Sequence, residues 1–392
     1  MSQQVIGKPR VGQRGGQPLA RLMLDAIDDS TRGKVPFSAY AAGVTLADLD
    51  AALFVHKVAP AVYLHLKDDP TVPGDIAQLL RDRYNAQMMR QLQVQADLVA
   101  LSAALDGNGL AWAAMKGPVL AERLWSRPDL RQYIDLDILV DRRFFARVLE
   151  TLIAAGAEML DCNWQLVRDQ VRAEVSLRLP NGTALDLHWH VVNNAKLRRV
   201  FKFRTQEMLG RAVRMSIGGS IVPALDPVDT LLHLGYHTAH SGGHRLMWLK
   251  DVERATADTA LDWDLALRRA DEYGVRLALA VVLARTQRVI GFEKPPPPAA
   301  LAPARRTAWG WFAASADKWS PAPALPGDKL SGQIVFKSTR STTIASAAAA
   351  VGAARHRHDG LIDPADNPLH SPAGGTQARD AYLQVVEGPA EP

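Results

Sequence analysis

The chain has a single cysteine, Cys162, among its 392 residues, and this scarcity excludes several kinds of site. A disulfide within the chain needs two cysteines, and a zinc or iron–sulfur site built from thiolates needs more than one. Disulfides persist mainly in oxidising compartments. The composition therefore fits a protein of the reducing cytoplasm.

Long hydrophobic runs are also missing. The longest strongly apolar run, from Leu277 to Ala284, is far shorter than the roughly 20 residues that span a bilayer. The first residues carry Lys8, Arg10 and Arg14 but no apolar stretch that would form the core of a signal peptide. We expect neither secretion nor membrane insertion, and a cytoplasmic location.

An excess of one charge is largely absent as well. Lysine and arginine number 46 against 41 aspartate and glutamate, which gives a formal net charge of +5. This is a small value for the length, so the composition does not point to nucleic acid as a partner. With 47% hydrophobic and 22% charged residues, the chain has the composition of a soluble globular protein.

Composition and periodicity divide the chain into five regions. Residues 1–17 are rich in Gly, Gln and Arg and are interpreted as a flexible basic arm. Helical spacing predicts an N-terminal helical region at 18–106, and residues 107–205 alternate strand and helix signals. Helical spacing returns at 206–294, and residues 295–392 are a tail rich in Pro, Ala and Gly that we expect to be partly disordered.

The region at 107–205 contains two patterns that organise a sheet. A short apolar run from Leu110 to Met115 is followed by Lys116-Gly117-Pro118 and then by helical spacing, which predicts a strand, a tight turn and a helix. Further on, two alternating segments flank Pro180-Asn181-Gly182, which indicates a hairpin.

Three carboxylates are the most informative candidates for chemistry. Asp135 and Asp137 interrupt an apolar strand, and because strand side chains alternate, both lie on one face while Leu136, Ile138 and Val140 lie on the other. In the second hairpin strand, Asp186, His188 and His190 share a face by the same alternation. If the two strands are neighbours, Asp186 joins the pair, and a divalent cation would neutralise the like charges.

The turn at Lys116-Gly117 supplies a second element. Free backbone N–H groups at a helix start, together with a lysine ammonium, form a cradle for phosphate. Carboxylates for Mg²⁺ (or Mn²⁺) beside a phosphate cradle are what nucleotidyl transfer from ATP or another nucleoside triphosphate requires. In such a site one Mg²⁺ would bridge the triphosphate and the Asp135–Asp137 pair, and a second, held also by Asp186, would activate an acceptor hydroxyl.

At this point the sequence resembles the uncharacterised nucleotidyltransferase family of the polymerase-β-like nucleotidyltransferase superfamily, over about residues 58–294. The wider superfamily usually has Gly-Gly or Gly-Ser where this chain has Lys116-Gly117-Pro118. The matching blocks are Met115-Lys116-Gly117, Arg127-Pro128-Asp129-Leu130-Arg131, Asp135-Leu136-Asp137-Ile138-Leu139-Val140, Leu185-Asp186-Leu187-His188-Trp189, Asp226-Pro227, His233, His237, Arg245, Trp248-Leu249-Lys250-Asp251 and Ala270-Asp271-Glu272-Tyr273-Gly274.

The resemblance implies an α+β fold, with a nucleotidyltransferase-like mixed sheet flanked by helices between N- and C-terminal helical regions. It implies Asp135 and Asp137 as metal ligands, Asp186 as the third catalytic carboxylate, and Lys116-Gly117 as the nucleotide loop. The acceptor it implies is a small molecule, a peptide or a protein. The sequence does not indicate the oligomeric state.

Secondary candidates have competing interpretations. Arg131 is placed to reach a triphosphate or, equally, to pair with Asp129 at the surface. His188 would orient a carboxylate or contact substrate, or it would only be hydrogen bonded. His233, His237, His240 and His244 follow a 4, 3, 4 spacing that suits a zinc site and a metal-dependent hydrolase, although Ser241-Gly242-Gly243 should end the helix before His244. We favour His233 and His237 as residues of the cleft or of the helical core.

The basic segment at 196–204 is the best candidate for an anionic partner. Its Lys and Arg residues alternate with Phe201 and Phe203. An amphipathic connector between domains is the favoured interpretation, because no RNA-binding motif is present and nucleic acid is not an expected partner. The sequence as a whole predicts an adenylyltransferase-like enzyme, with a non-catalytic or antitoxin-like binding protein of the same fold as the alternative.

Overall fold

The computed structural model describes residues 17–28, 34–318, 323–325, 328, 332–355 and 367–389. The predicted flexible arm, apart from residue 17, lies outside the described residues.

One mixed sheet of seven strands organises the described part of the chain, in the spatial order β3-β4-β5-β2-β1-β7-β6. The neighbours β2 and β5 are parallel, as are β1 and β7, whereas the other neighbouring pairs are antiparallel. The strands are β1 (Trp112–Ala114), β2 (Asp135–Val140), β3 (Glu158–Met159), β4 (Glu174–Arg178), β5 (Ala184–His188), β6 (Val213–Ile217) and β7 (Ser220–Ala224).

Helices surround this sheet and precede and follow it, which confirms the predicted α+β class with helical flanks. They are α1 (Pro18–Ile27), α2 (Leu46–His56), α3 (Ala59–Leu66), α4 (Gly74–Gly107), α5 (Pro118–Leu124), α6 (Phe145–Ala154), α7 (Trp164–Asp169), α8 (Ala195–Arg198), α9 (Thr205–Gly210), α10 (Pro227–His240), α11 (Leu246–Ala257), α12 (Trp263–Glu272), α13 (Arg276–Val289), α14 (Pro298–Arg306), α15 (Ala308–Lys318), α16 (Gln333–Lys337), α17 (Thr343–Arg355) and α18 (Gly375–Glu387).

The predicted hairpin is present as β4 and β5, joined by the turn around Gly182. A second hairpin, β6 and β7, extends the sheet past residue 205, where the sequence interpretation ended the core. Its turn is Gly218-Gly219, with φ of 57° and 83°, and consecutive glycines with positive φ are what a two-residue hairpin turn needs. This pairing signal lies in the interval that was interpreted as helical.

The two faces of the sheet pack against different partners. The face carrying Leu136, Ile138 and Val140 belongs to a core that also takes in residues of α6 and α18, so the predicted buried face of β2 is confirmed. The residues of α10 and α11 belong to a separate, larger core. The opposite face of β2 and β5 therefore looks toward the helical half of the molecule.

The described part of the 295–392 interval is largely helical. Within it, α18 closes the sheet core: the Tyr382 side chain is fully buried, its hydroxyl donates to Arg172 O at 2.8 Å, and Trp189 Nε1 donates to the same hydroxyl at 3.0 Å. Among the described residues, no helix combines the length and the apolar character needed to cross a membrane.

Candidate active site

Strand register brings the sequence-predicted carboxylates together. Strands β2 and β5 pair in parallel with Asp137 opposite Asp186 and Asp135 opposite Ala184. Side chains directly opposite each other in neighbouring strands lie on the same face, and so do residues two apart in one strand. Asp135, Asp137 and Asp186 thus share the face that looks toward the helices.

Three of the ligand atoms on this face lie close enough to hold one cation. One atom each from Asp137, Asp186 and His188 fall within 4.8 Å of one another. Asp135 is not part of this group; it begins β2 and is partly exposed. The third ligand atom of this group comes from His188. The sequence suggested this histidine only as a residue that orients a carboxylate, contacts substrate or is hydrogen bonded.

Asp137 lies at the centre of the site and is 1% exposed. Lys116 Nζ lies 2.5 Å from its Oδ1, and His188 Nε2 lies 3.3 Å from the same oxygen. Burial opposes the charge of Asp137, but the two cationic neighbours outweigh it and hold its pKa well below its usual value. Burial also opposes the charge of Lys116, and attraction by Asp137 and Asp135 raises its pKa nonetheless.

Asp186 has the opposite tendency. Burial, followed by repulsion from Asp137, raises its pKa to about 7, while the Ser176 hydroxyl donates a 2.8 Å hydrogen bond to its Oδ1. The pKa of Asp135 is raised for the same two reasons. The raised pKa values of Asp135 and Asp186 indicate that the positive charges of the site do not balance all three carboxylates.

His188 connects the carboxylate face to strand β4. Its Nδ1 lies 3.5 Å from Glu174 Oε2, and its Nε2 faces Asp137. Burial would lower the pKa of the imidazole, but the hydrogen bond to Asp137 and the charge of Glu174 raise it. The ring is thus fixed between two acidic side chains.

The donor set fits a divalent cation. Asp137 Oδ2 is buried and has no hydrogen-bond partner among the described residues, while Oδ1 is shared by Lys116 and His188. A buried carboxylate oxygen without a partner is costly unless a cation reaches it. Carboxylate oxygens are the ligands that Mg²⁺ and Mn²⁺ prefer.

The nucleotide loop predicted at Lys116-Gly117 lies directly beside β2. Gly117 has φ of 53°, and a Cβ at this position would stand 3.0 Å from Asp135 O, so both the conformation and the space require glycine. Pro118 begins α5 directly after it. The loop backbone therefore packs closely against the backbone of β2 at Asp135.

Arg131 is hydrogen bonded to this loop and fixes its position. Its Nη1 donates to Gly117 O at 3.1 Å, and its Nε and Nη2 donate to the two oxygens of Asp251 at 2.9 Å each. The predicted surface pair with Asp129 is wrong, because the Arg131 side chain is 4% exposed and Asp129 is bonded to Arg127 and Tyr84 instead. Contact between Arg131 and a triphosphate stays a prediction.

A family model described as an uncharacterised nucleotidyltransferase matches residues 44–291. The chain belongs to this nucleotidyltransferase family. The match includes the loop, both strands that carry the carboxylates, and the helices facing them. It confirms the family suggested by the sequence motifs and identifies the protein as a transferase of the nucleotidyl type.

Other comparisons add little to this assignment. The solved structures that resemble the chain include an antigenic nucleotidyltransferase-like protein from Paracoccidioides brasiliensis, which is 18% identical; the likeness covers 46% of this chain and 88% of that chain, with a TM-score of 0.30. No curated protein matches the chain.

In this nucleotidyltransferase, two of the three histidines on α10 face the strands that carry the carboxylates. His233 and His237 are next to each other, with ring centroids 6.1 Å apart. Burial, followed by repulsion from Lys116, lowers the pKa of His233 to about 3 and that of His237 well below its usual value. Both rings are therefore neutral near pH 7 and lie close to Lys116, and their role as residues of the cleft stays a prediction.

The other two of the four spaced histidines, His240 and His244, point elsewhere. Helix α10 ends at His240, as the glycines after it predict, and the His240 ring stacks on Tyr236 at 5.5 Å. The His244 ring lies against Trp248 at 5.3 Å. The one metal-sized group of ligand atoms found within the described residues is the acidic one on the sheet, and it contains none of these four imidazoles.

The basic segment at 196–204 is packed against the protein. Phe201 and Phe203 are each 1% exposed, and the Arg198 guanidinium lies 4.5 Å from the centre of the Trp189 ring. The aromatic residues that suggested a binding surface belong to the core. Arg199 and Lys202 remain exposed.

Several residues of the site were not singled out from the sequence. Glu174 and Ser176 contact His188 and Asp186 because β4 pairs with β5, so the hairpin was the signal that led to them. Asp251 anchors Arg131 from 120 positions away, and only the family motif pointed to it.

Proposed function

We propose that this protein catalyses a Mg²⁺-dependent transfer of a nucleoside monophosphate, AMP from ATP, to an acceptor hydroxyl on a small molecule, a peptide or a protein. The observation that carries the proposal is the pairing of β2 with β5, which places Asp137 beside Asp186 and leaves Asp137 Oδ2 buried without a hydrogen-bond partner among the described residues. Family membership supports the general reaction.

Asp137 and Asp186 would hold the divalent cation together with His188, and Asp135, on the same face of β2, would add a further carboxylate. When bound, the cation would neutralise the carboxylates and polarise the α-phosphate and the acceptor hydroxyl. The buried ammonium of Lys116 already supplies part of this charge through its contact with Asp137. Binding of the cation would release Lys116 from Asp137 and leave its ammonium available to phosphate oxygens.

In the reaction, the acceptor oxygen attacks the α-phosphorus in line with the leaving group. The bond between the α-phosphorus and the oxygen bridging to the β-phosphate breaks, and pyrophosphate leaves with that electron pair. The acceptor proton passes to the carboxylate of Asp186, which the Ser176 hydroxyl holds in place. The products are pyrophosphate and the nucleotidylated acceptor.

His233 and His237 lie on the helical side of this cleft. Because both imidazoles stay neutral near pH 7, they add no charge to the phosphate path but offer a donor and an acceptor to the substrate. The acceptor would therefore bind between α10 and the carboxylate strands.

The test is incubation of the purified protein with Mg²⁺, each of the four labelled triphosphates, and pools of hydroxyl-bearing small molecules, peptides and proteins. Pyrophosphate release and a matching mass increase on one acceptor are expected for the wild type with ATP, and both should be lost in Asp137→Ala. Transfer from a different triphosphate would correct the nucleotide. A folded protein that binds triphosphate but never releases pyrophosphate with any acceptor would instead support a non-catalytic binding role.

A further inference from the structure

The junction between α2 and α3 is attached to the junction between α10 and α11. Arg245 Nε donates to Val55 O at 2.9 Å, and Leu246 N donates to His56 Nδ1 at 3.3 Å. Lys57 is the next residue after His56 and ends α2. Lys57 Nζ lies 4.2 Å from the centre of the Phe54 ring, and the charge of Arg245 acts on it, so a cation from the N-terminal helices and one from the start of α11 are near each other at this junction.

The same face of α11 reaches from this junction to the nucleotide loop. The Arg245 guanidinium lies 4.4 Å from the centre of the Trp248 ring, and one turn further Asp251 binds Arg131, which donates to Gly117 O. Six residues of helix span about 9 Å. Arg245 therefore lies about 9 Å along the helix from the residue that anchors the loop.

Among the described residues, no carboxylate lies within ion-pair distance of Lys57 or Arg245. Burial, followed by repulsion between the two, lowers the pKa of Lys57; burial also lowers the pKa of Arg245, and the charge of Asp135 opposes the lowering at both residues. Two partly buried cations that repel each other and have no carboxylate at ion-pair distance in the described part of the chain favour an anion placed between them.

The backbone of Lys57 adds a separate indication. Its φ is 56°, and in the described part of the chain the only other residue than glycine with positive φ is Val171. A left-handed conformation costs a lysine roughly 1–2 kcal/mol relative to glycine. Residues that keep such strain are concentrated at functional sites, because their side chains are needed there.

We propose that Lys57 and Arg245 bind the terminal phosphates of the nucleoside triphosphate, so that the N-terminal helices complete the nucleotide site. An isolated anion would be repelled by Asp135, whereas a triphosphate carrying Mg²⁺ brings a cation to Asp135 and phosphate oxygens to the two basic residues. A guanidinium and an ammonium are both suited to phosphate. The inference rests on the proposed function.

The experiment measures equilibrium binding of magnesium tripolyphosphate, Mg-ATP and AMP by calorimetry. The test protein is the double variant Lys57→Gln/Arg245→Gln, and the matched control is Arg199→Gln/Lys202→Gln, which removes one exposed arginine and one exposed lysine from the 196–204 segment. For the test protein we expect affinity for tripolyphosphate and ATP to fall about 10- to 100-fold, with AMP binding unchanged. The control should bind all three as the wild type does.

A second variant separates binding from folding. Lys57→Gly removes the charge and relieves the left-handed backbone, so it should be at least as stable as Lys57→Gln and yet lose about tenfold in tripolyphosphate affinity. Unchanged tripolyphosphate and ATP affinity in Lys57→Gly and in the double variant overturns the inference, as does an equal loss of affinity for AMP. A wild-type protein that binds no triphosphate in the presence of Mg²⁺ overturns the proposed function itself.

Discussion

The molecule has two rows of candidate ligands, one on the sheet and one along α10 and the turn after it, and only the first converges. On the sheet, atoms of Asp137, Asp186 and His188 lie within 4.8 Å of one another. On α10, the His233 and His237 rings are 6.1 Å apart and His240 packs on Tyr236, while His244, after the end of the helix, packs on Trp248. The regular spacing of these histidines along the chain does not bring their ring nitrogens together around one point.

The difference has a physical origin. Neighbouring strands fix opposite side chains about 5 Å apart through backbone hydrogen bonds, so two carboxylates in register must share one volume. Side chains on a helix face point away from the helix axis, and each histidine ring on α10 packs against another aromatic ring. Convergence of ligands from two backbone segments is therefore a better guide to a metal site than spacing along one.

The largest effect should come from breaking the convergent row. Asp137→Asn removes the central charge, and we expect turnover to fall about 10³-fold, equivalent to ~4 kcal/mol of transition-state stabilisation. The measurement is the rate of pyrophosphate release at saturating Mg²⁺. The matched control is Asp141→Asn, which removes a buried aspartate just after the same strand, where it binds Arg143. A wild-type rate in Asp137→Asn would show that the carboxylate row is not catalytic.

The second-largest effect should come from the ion pair between Asp251 on α11 and Arg131, which is hydrogen bonded to the nucleotide loop. Asp251→Asn leaves Arg131 buried without a charged partner, and we expect the free energy of unfolding to fall by about 3 kcal/mol. Denaturant titration measures it. In the control Asp50→Asn, the lost partner is Arg83 in a pair whose side chains are 40% and 46% exposed, so the change should be below about 1 kcal/mol. Equal losses in the two variants would mean that Asp251 does not anchor the loop.

A smaller effect is expected from the loop itself. In Gly117→Ala, the methyl group would meet Asp135 O in a backbone conformation that suits glycine, so we expect about a tenfold loss of turnover together with weaker Mg²⁺ binding. Gly109→Ala is the control, because Gly109 also has positive φ but has open space around it. If both variants lose stability and only Gly117→Ala loses turnover, the contact with the carboxylate strand is the cause.

The smallest effect should come from the non-convergent row. Burial, followed by repulsion from Arg340 and Lys337, lowers the pKa of His240 to about 4 from 6.5. The unfolded chain therefore binds a proton more readily, so stability is complete above pH 6.5 and is lost as the pH falls toward 4. Between pH 7.5 and 5.5 we expect this histidine to cost about 1 kcal/mol of unfolding free energy.

His240→Gln should remove that part of the acid sensitivity and leave turnover at pH 7.5 within about twofold of the wild type. Unfolding titrations at the two pH values compare the slopes. A loss of turnover as large as that of Asp137→Asn would assign catalysis to the histidine row and reverse the comparison.

The sequence predicted correctly those parts of the fold in which the local residue pattern matches the element that forms. The alternation in β2 predicted both its buried and its acidic face, and Pro180-Asn181-Gly182 predicted the hairpin that places Asp186. It did not find β6 and β7, although Gly218-Gly219 is a hairpin turn, because the strands around it are short and border a helical interval. The boundaries of the five regions stay a prediction.

The site was predictable in part for the same reason. Motifs that lie within one strand or turn, such as Asp135 with Asp137 and Lys116 with Gly117, can be recognised directly from the sequence. The partner of Arg131 was not, because Asp129 is two positions away in the chain and Asp251 is 120, and only the folded structure decides between them. Long-range pairs such as Arg245 with Val55 need the packing of two helical regions before they exist.

The bond between Trp189 and Tyr382 has a consequence for biosynthesis. These residues are 193 positions apart in the chain. At about 5–20 residues per second, a ribosome needs about 10–40 s to produce the second after the first. Throughout that interval the nascent sheet exposes the indole and its apolar surroundings. The apolar surface around Trp189 is thus covered only after α18 has been synthesised, and until then it is open to aggregation.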